Sequence, residues 1–209
     1  MEEPISDLVR ELIDVGGAAV HKGLALASGG NLSARLPGGD QFVVTGSGTW
    51  LDRLTPDDFT LMTLDGDIRG GAPSPSSEWK LHSRTYRVRD DVNAVIHLHP
   101  QHCVLLDALG HQIRLITLDH AFYVRSVGRT PYYPNGSDEL ADSAAEQARS
   151  HDCVIMGHHG CSALGPNVSM AFRRALNLEE AATQTYRALV LGDTTTAFPA
   201  EAMQALHHA

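Results

Sequence analysis

Residues 92–100 (VNAVIHLHP) form an apolar run that ends in two histidines and a proline. The short length and branched side chains predict a buried strand over residues 92–98, and the proline predicts its end. Residues two apart in a strand point to the same face, so His97 and His99 can converge on one cation, whereas on a helix they would diverge. Two unrelated surface histidines are the alternative interpretation.

The chain on either side of this strand alternates helical and extended patterns without the regular rhythm of a parallel doubly wound sheet. It predicts an α/β protein of α+β-like character, with a mixed, largely antiparallel sheet flanked by helices. The length of 209 residues predicts a single domain over residues 1–209. Helices are predicted over residues 6–27, 78–89, 101–109, 138–149 and 168–191, and strands over 41–45, 61–64, 92–98, 113–118 and 153–156. A further short strand is predicted after Asn31, through Ser33 and Arg35.

Composition limits the partners of this chain. A formal net charge of -9 argues against nucleic acid and anionic membrane surfaces, which need clustered basic side chains. Three cysteines without a Cys-x-x-Cys spacing favour free thiols in a reducing compartment. The acidic start of the chain does not resemble a signal peptide, and no segment is long and apolar enough for a membrane span, so we expect a cytoplasmic protein.

A third metal ligand is expected because catalytic metal sites usually take three protein ligands and leave one position open. His158-His159-Gly160 follows another predicted strand, and His159, beside the glycine, is the better placed of the two histidines. Imidazole ligands with a carboxylate suit zinc, cobalt or manganese, so the pattern alone does not select the metal.

An anion site is indicated by loops rich in donors. Ser76 and Ser77 precede the predicted helix that begins at Glu78, where unpaired backbone N–H groups and the helix dipole favour a phosphate. A simple helix cap is the alternative interpretation of these serines. Two glycine-rich loops, residues 29–31 and 45–48, add further donors that can form an anion nest without Lys or Arg.

These motifs, taken in order, resemble the class II aldolase/adducin family, and within it the branch of L-fuculose-1-phosphate aldolases. The resemblance extends from the first helix to about residue 191, and five motifs in one order are far more specific than any single one. The motifs are Gly30-Asn31-Leu32-Ser33-Ala34-Arg35, Thr45-Gly46-Ser47-Gly48, Pro75-Ser76-Ser77-Glu78-Trp79, His97-Leu98-His99 with His102-Cys103 behind it, and His158-His159-Gly160.

The resemblance implies a role for each matching residue. His97, His99 and His159 would hold the metal, usually zinc, and Glu78 would be the acid/base residue. The substrate phosphate would be bound by Asn31, Ser47, Gly48, Ser76 and Ser77. It also implies the family fold, a mixed sheet between helix layers, and a homotetramer with sites at subunit interfaces.

The reaction that the resemblance implies is reversible cleavage of a ketose 1-phosphate to dihydroxyacetone phosphate and an aldehyde. A divalent cation would stabilise the enediolate, so no Schiff-base lysine is needed. Lys22 and Lys80, the two lysines, lack a neighbouring cation or an apolar pocket that would lower their pKa.

One part of the family pattern is missing. Fuculose aldolases have a tyrosine as second proton donor where an ungapped count reaches Leu118, and the epimerases of the family have an aspartate where this chain has Phe122, which argues against an epimerase. Asp119, His120 and Tyr123 are the candidate donors, and packing beneath the metal ligands is the alternative role of this segment.

Two other functions stay open at the level of sequence. A decarboxylase or dehydratase acting on a sugar-acid phosphate would use the same metal enolate. A non-catalytic, adducin-like binding module would keep the fold but predicts a degraded site, whereas all three histidines and Glu78 are present.

Overall fold

The structure is a computed structural model that describes residues 3–207. The helices are α1 (Glu3–His21), α2 (Trp79–Val88), α3 (Gln101–Ala108), α4 (Asp138–Ala148), α5 (Val168–Val190) and α6 (Ala200–His207), with a π-helical turn at His120–Val124 and short 3-10 turns at Leu51–Arg53 and Pro56–Asp58. The strands are β1 (Asn31–Arg35), β2 (Gln41–Thr45), β3 (Phe59–Thr63), β4 (Ile68–Gly71), β5 (Ala94–Leu98), β6 (Val127–Thr130), β7 (Cys153–Met156) and β8 (Gly160–Gly165).

All eight strands belong to one sheet, in the order β4-β3-β2-β1-β5-β8-β7-β6. Every neighbouring pair is antiparallel except β6 and β7, which are joined through α4 and run parallel. The fold is therefore the mixed, largely antiparallel sheet flanked by helices that the sequence predicts, and the predicted fold class is confirmed. The prediction of a single domain over residues 1–209 stays a prediction.

Side chains that alternate along β1 explain how the two faces of the sheet are covered. Leu32 and Ala34 are buried in the cluster formed with α1 and α5. Asn31 and Ser33 point to the opposite face, toward α2, where Ser33 contacts His82 and Tyr86. One face of β1 is therefore an apolar core and the other carries buried polar groups, as the period of two in a strand requires.

The predicted helices and most predicted strands are present, with ends shifted by a few residues. The helix predicted over residues 6–27 begins at Glu3 and ends at His21, and Gly23 has a φ of 74° just beyond its end. Asn167 caps α5 as expected, since its side chain accepts from the backbone N–H of Met170. No helix in residues 3–207 has the length and apolarity that a membrane span requires.

The strand predicted over residues 113–118 is wrong. This segment is irregular and leads into the π-helical turn, while the strand that completes the sheet edge is β6, further along the chain. Ile113 and Leu115 are apolar because they pack against the cluster around Cys103 and Leu106, so their alternation reflects side-chain packing rather than strand pairing. The strand β8 was also not predicted, because its six buried residues, GCSALG, include glycines that weaken a strand pattern.

Candidate active site

Three histidines meet at one end of the central strands. His97 and His99 lie at the end of β5, and His159 lies in the turn that leads into β8, which pairs with β5. One side-chain nitrogen from each ring lies within 4.8 Å of the others. Strand pairing thus brings together residues that are about sixty positions apart in sequence, and the group is one that can hold a metal ion.

The tautomer of His97 leaves its inner nitrogen free to bind a cation. His97 Nδ1 lies 2.9 Å from the carbonyl oxygen of Cys161, an acceptor, so in the neutral ring Nδ1 carries the proton and Nε2 carries the lone pair. Nε2 of His97 lies 3.0 Å from His99 Nε2 and 3.1 Å from Glu78 Oε2. A backbone carbonyl that orients a ligating imidazole is typical of metal sites.

Glu78 stands at the start of α2 with its carboxylate facing the three rings. Its Oε1 atom is buried and, among the residues that the structure describes, has no hydrogen-bond partner; it lies 3.5 Å from His159 Nε2. A buried carboxylate oxygen without a partner, beside converging imidazole nitrogens, fits a divalent cation of the class that binds nitrogen and oxygen ligands.

The electrostatics of the four groups are consistent with this arrangement. Burial alone would raise the pKa of the Glu78 carboxyl, but the charge and hydrogen bond of His97 hold that pKa well below its usual range, with smaller contributions from His159 and Asn31. Burial opposes protonation of His97, yet the Glu78 carboxylate raises the pKa of that imidazole. Each of these two groups therefore favours the charged form of the other.

The other two histidines are neutral. Burial, followed by the nearby charge of His97, lowers the pKa of His99 to about 3. The same causes lower the pKa of His159 to about 4. Both rings therefore present lone pairs at neutral pH, which is the state that a metal ligand requires.

Close backbone packing explains the glycines around the histidines. A Cβ atom on Gly160 would collide with the carbonyl oxygen of Leu98 and lie 2.6 Å from His99 Cδ2. Gly30, at a φ of 87°, adopts a left-handed conformation, and a Cβ atom there would lie 2.7 Å from the carbonyl oxygen of His97. Both glycines allow neighbouring strands to approach the histidines closely.

Every residue predicted to bind phosphate lines one small cavity of about 90 Å³ beside Glu78 and His99. Ser76 is buried and its hydroxyl accepts from the backbone N–H of Glu78, whereas Ser47 and Ser77 are exposed. The backbone N–H groups of Ser76 and Ser47 already donate to the carbonyl oxygens of Thr45 and Ser74, so these two groups are not free for an anion. The predicted set is Asn31, Ser47, Gly48, Ser76 and Ser77.

The candidate second proton donors lie elsewhere in the chain. His120 is buried, and its Nδ1 atom accepts from the backbone N–H groups of Ile116 and Thr117. Tyr123 Oη lies 3.5 Å from a guanidinium nitrogen of Arg173 on α5, and Asp119 is exposed. None of the described residues that line the cavity comes from this segment, so the structure does not bring these candidates to Glu78.

Two residues near the site were missed by the sequence analysis. Asn135 lines the same cavity from the loop before α4, and no local signal in the sequence points to it. His82 lies four residues after Glu78 on α2 and contacts Asn31. Its spacing places it on the same helix face as Glu78, which is a signal that could have found it.

Comparison with known proteins agrees with this geometry. The family profile described as "Class II Aldolase and Adducin N-terminal domain" matches residues 10–186. The L-fuculose phosphate aldolase of Methanocaldococcus jannaschii is 36% identical over 160 residues, covering 77% of this chain and 85% of that protein. The 5-methylthioribulose-1-phosphate/5-deoxyribulose-1-phosphate aldolase of Rhodospirillum rubrum is 32% identical over 197 residues, covering 92% and 86%. A solved L-fuculose 1-phosphate aldolase superposes with a TM-score of 0.90 at 29% identity, covering 97% of this chain and 95% of that one.

The fold and the site thus define a class of protein in which a mixed sheet presents three histidines beside a buried carboxylate. The chain belongs to the class II aldolase/adducin family. It is an enzyme of the aldolase type, a carbon–carbon lyase.

Proposed function

We propose that the protein reversibly cleaves a ketose 1-phosphate of the L-fuculose-1-phosphate kind to dihydroxyacetone phosphate and an aldehyde. The observation that carries this proposal is the position of Glu78, whose carboxylate lies 3.1 Å from His97 Nε2 while the same residue lines the donor-lined cavity. A carbon atom of the substrate next to its carbonyl would then lie within reach of a proton-accepting group while the phosphate is held a short distance away. The aldolase names of the relatives at 36% and 32% identity support the same substrate class.

His97, His99 and His159 are the residues we assign to the metal, which we propose to be zinc, with manganese and cobalt as alternatives. When bound, such a cation supplies Lewis-acid stabilisation of the enediolate that carbon–carbon cleavage leaves behind. The donor set supports this assignment, since three imidazoles and a carboxylate suit those metals.

Glu78 is the residue we assign to proton transfer. Its carboxylate is ionised, held by the Asn31 amide, and mostly shielded from solvent, so it can take and return a proton at the carbon next to the carbonyl. Asn31, Ser47, Gly48, Ser76 and Ser77 are assigned to the phosphate, where hydroxyl, amide and backbone donors replace basic side chains.

The proposal includes the assembly and the location of the protein. We propose a homotetramer, because the segment that carries the candidate proton donors exposes large apolar side chains: Leu118 is 55% exposed and Phe122 46% exposed. In such an assembly this segment can reach a neighbouring site that it does not reach in its own subunit. A cytoplasmic location is supported by three free, buried cysteines.

The test is to load the purified protein with zinc, manganese or cobalt and supply ketose 1-phosphates of several chain lengths, including L-fuculose 1-phosphate and 5-deoxyribulose 1-phosphate. Release of dihydroxyacetone phosphate, followed by a coupled dehydrogenase, is the expected result. Absence of that product with every substrate and metal would remove the proposal. Release of carbon dioxide or water from a sugar-acid phosphate would then favour a decarboxylase or a dehydratase, and failure to bind metal would favour a binding module.

A further inference from the structure

A chain of four buried hydrogen bonds leads from the core to the carboxylate of Glu78. Tyr86 Oη lies 2.6 Å from Ser33 Oγ, which lies 2.6 Å from His82 Nδ1. On the other side of the ring, His82 Nε2 lies 2.5 Å from Asn31 Oδ1, and Asn31 Nδ2 lies 2.8 Å from Glu78 Oε2. All five side chains are at most 5% exposed, so water does not compete for these bonds.

The direction of donation along this chain follows from its end at Glu78. A carboxylate oxygen only accepts, so the Asn31 amide must turn its nitrogen toward Glu78 and its oxygen toward His82. An amide oxygen also only accepts, so His82 must carry its proton on Nε2. In the neutral ring Nδ1 then accepts from the hydroxyl of Ser33, which in turn accepts from the hydroxyl of Tyr86.

We propose that His82 is a positioning residue for the cleavage reaction, acting through Asn31. The proton on His82 Nε2 fixes the orientation of the Asn31 amide. In that orientation one N–H of the amide faces Glu78 and the other faces the donor-lined cavity. The inference rests on the proposed function, because it assigns a purpose to the orientation of Asn31.

Three observations distinguish this role from simple core packing. The ring is completely buried, yet both of its nitrogens are bonded to polar side chains rather than to the backbone. Burial lowers the pKa of His82 to about 3, so the ring is neutral and has the single donor that the chain of bonds requires. Glu78 directly precedes α2 and His82 lies one turn further along, so the start of this helix positions both residues that contact the Asn31 amide.

A matched pair of substitutions tests the donor on Nε2. In His82→Gln the side-chain nitrogen lies the same number of bonds from Cα as Nε2, so it can still donate to Asn31. In His82→Asn the amide reaches only to the place of Nδ1, so it can bond to Ser33 but not to Asn31. We expect kcat/KM of the metal-loaded enzyme to fall roughly tenfold to 100-fold in His82→Asn, the range for a lost hydrogen bond to a charged network, and to recover most of that loss in His82→Gln.

A double-mutant cycle separates positioning from packing. If His82 acts through Asn31, then His82→Asn should cost little further activity in an Asn31→Ala background, whereas an unrelated packing role makes the two losses multiply. Equal losses in His82→Asn and His82→Gln at matched unfolding free energy, or independent losses in the cycle, would overturn the inference.

A measurement on the unmutated protein tests the inference independently of its enzymatic activity. The ¹⁵N shifts of the histidine rings at pH 7 report the tautomer, and we expect His82 to be neutral with its proton on Nε2. A proton on Nδ1, or a cationic ring, would overturn the inference even if the enzyme is an active aldolase. Conversely, a protein that cleaves no ketose 1-phosphate but shows the expected tautomer would remove the proposed function and retain the orientation of Asn31 by His82.

Discussion

At the scale of single residues, Glu78 carries the clearest consequence. Replacing it by Gln keeps the shape of the side chain and removes the proton-accepting oxygen. We expect Glu78→Gln to lower kcat by about 10²- to 10⁴-fold, the usual contribution of a general acid/base. The three histidines remain, so metal content per subunit, measured by mass spectrometry of the metal, should be unchanged.

The matched control for this substitution is Glu146→Gln. Glu146 contacts Arg149 on the surface of α4, with 71% of its side chain exposed. Its replacement should leave kcat within twofold, roughly the effect of a surface change of up to 0.5 kcal/mol. Wild-type kcat in Glu78→Gln would mean that another group transfers the proton.

The buried ring of His82 predicts a pH dependence of stability. Its pKa is about 3 in the folded protein and 6.5 in the reference state, so between these values the unfolded chain binds a proton that the folded chain does not. The free energy of unfolding of the metal-free protein should therefore fall as the pH drops below 6.5, with His82 contributing up to about 1.4 kcal/mol per pH unit.

Urea denaturation of the wild type and of His82→Gln between pH 7 and pH 4 measures this contribution. His99 and His159 titrate in both proteins, so the difference between the two slopes belongs to His82. We expect the shallower slope in His82→Gln. Parallel slopes would show that this ring is not held neutral by the fold.

The residues of the site differ in how far sequence could reveal them. His97 and His99 could be predicted as a pair because a strand places alternate residues on one face. His159 follows from its glycine neighbour and a predicted strand, although no spacing rule states that β8 pairs with β5. Asn135 carries no signal at all, since its place at the cavity depends on how the loop before α4 packs against Ser77.

At the scale of secondary-structure elements, the close approach of β5 and β8 predicts that a methyl group added at Gly160 is destabilising. Gly160→Ala would drive its Cβ into the Leu98 carbonyl and toward the His99 ring. We expect it to destabilise the protein by about 1–3 kcal/mol and to weaken metal binding, because the rings must move apart.

Gly70→Ala is the matched control, since Gly70 is also a strand glycine and a Cβ atom there meets nothing within 4 Å. Its stability should stay within about 0.5 kcal/mol of the wild type. Urea denaturation and metal titration of both variants are the measurements. Equal metal affinity in the two variants would contradict the idea that strand spacing holds the ligands together.

The helix that follows His99 is capped from a distant element. Glu179 on α5 accepts from the backbone N–H groups of His102 and Cys103, each at 3.0 Å, and from His102 Nδ1 at 2.8 Å. Because a helix start leaves its first N–H groups without partners, Glu179→Ala should destabilise the protein by about 1–3 kcal/mol.

Glu180→Ala is the adjacent control on the same helix. Glu180 is exposed and contacts only Gln184 among the hydrogen-bond partners described for residues 3–207. Its unfolding free energy, compared by chemical denaturation, should change by no more than about 0.5 kcal/mol. If Glu179→Ala lowers the free energy of unfolding by as little as Glu180→Ala does, water satisfies the first N–H groups of α3 as well as Glu179 does.

Element types were easier to predict than the strand pairing. The strand β7 and the cap of α5 at Asn167 were found because local residues determine them. Residues 113–118 were assigned wrongly because apolar side chains that pack against α3 and α5 alternate as strand residues do. Only the tertiary arrangement distinguishes these two causes of the same pattern.

At the scale of the whole molecule, metal binding should couple to stability. A ligand that binds only the folded protein stabilises it by about 4 kcal/mol at a concentration 1,000-fold above its dissociation constant. Removing metal with a chelator should abolish aldolase activity and lower the melting temperature, and zinc, manganese or cobalt should restore both. A His159→Ala variant should show no such increase in melting temperature, and an equal increase there would place the metal elsewhere.

The order of strands in the sheet was the least predictable feature. The central strand β5 pairs with β1, which comes before it, and with β8, which comes long after it. No local pattern states such partners, because loop length and side-chain periodicity are compatible with several orders. The family resemblance implied a mixed sheet between helix layers, and it left the strand order open as well.

The pairing of β5 with β8 also has a consequence for synthesis on the ribosome. His97 and His99 leave the exit tunnel long before His159, and they acquire their third companion only when the hairpin of β7 and β8 has emerged and docked. A nascent chain that stops short of Gly160 therefore lacks the strand that brings the third histidine to the other two. Tight binding of the proposed metal has to follow the synthesis of β8, and a shorter fragment offers at most the pair from β5.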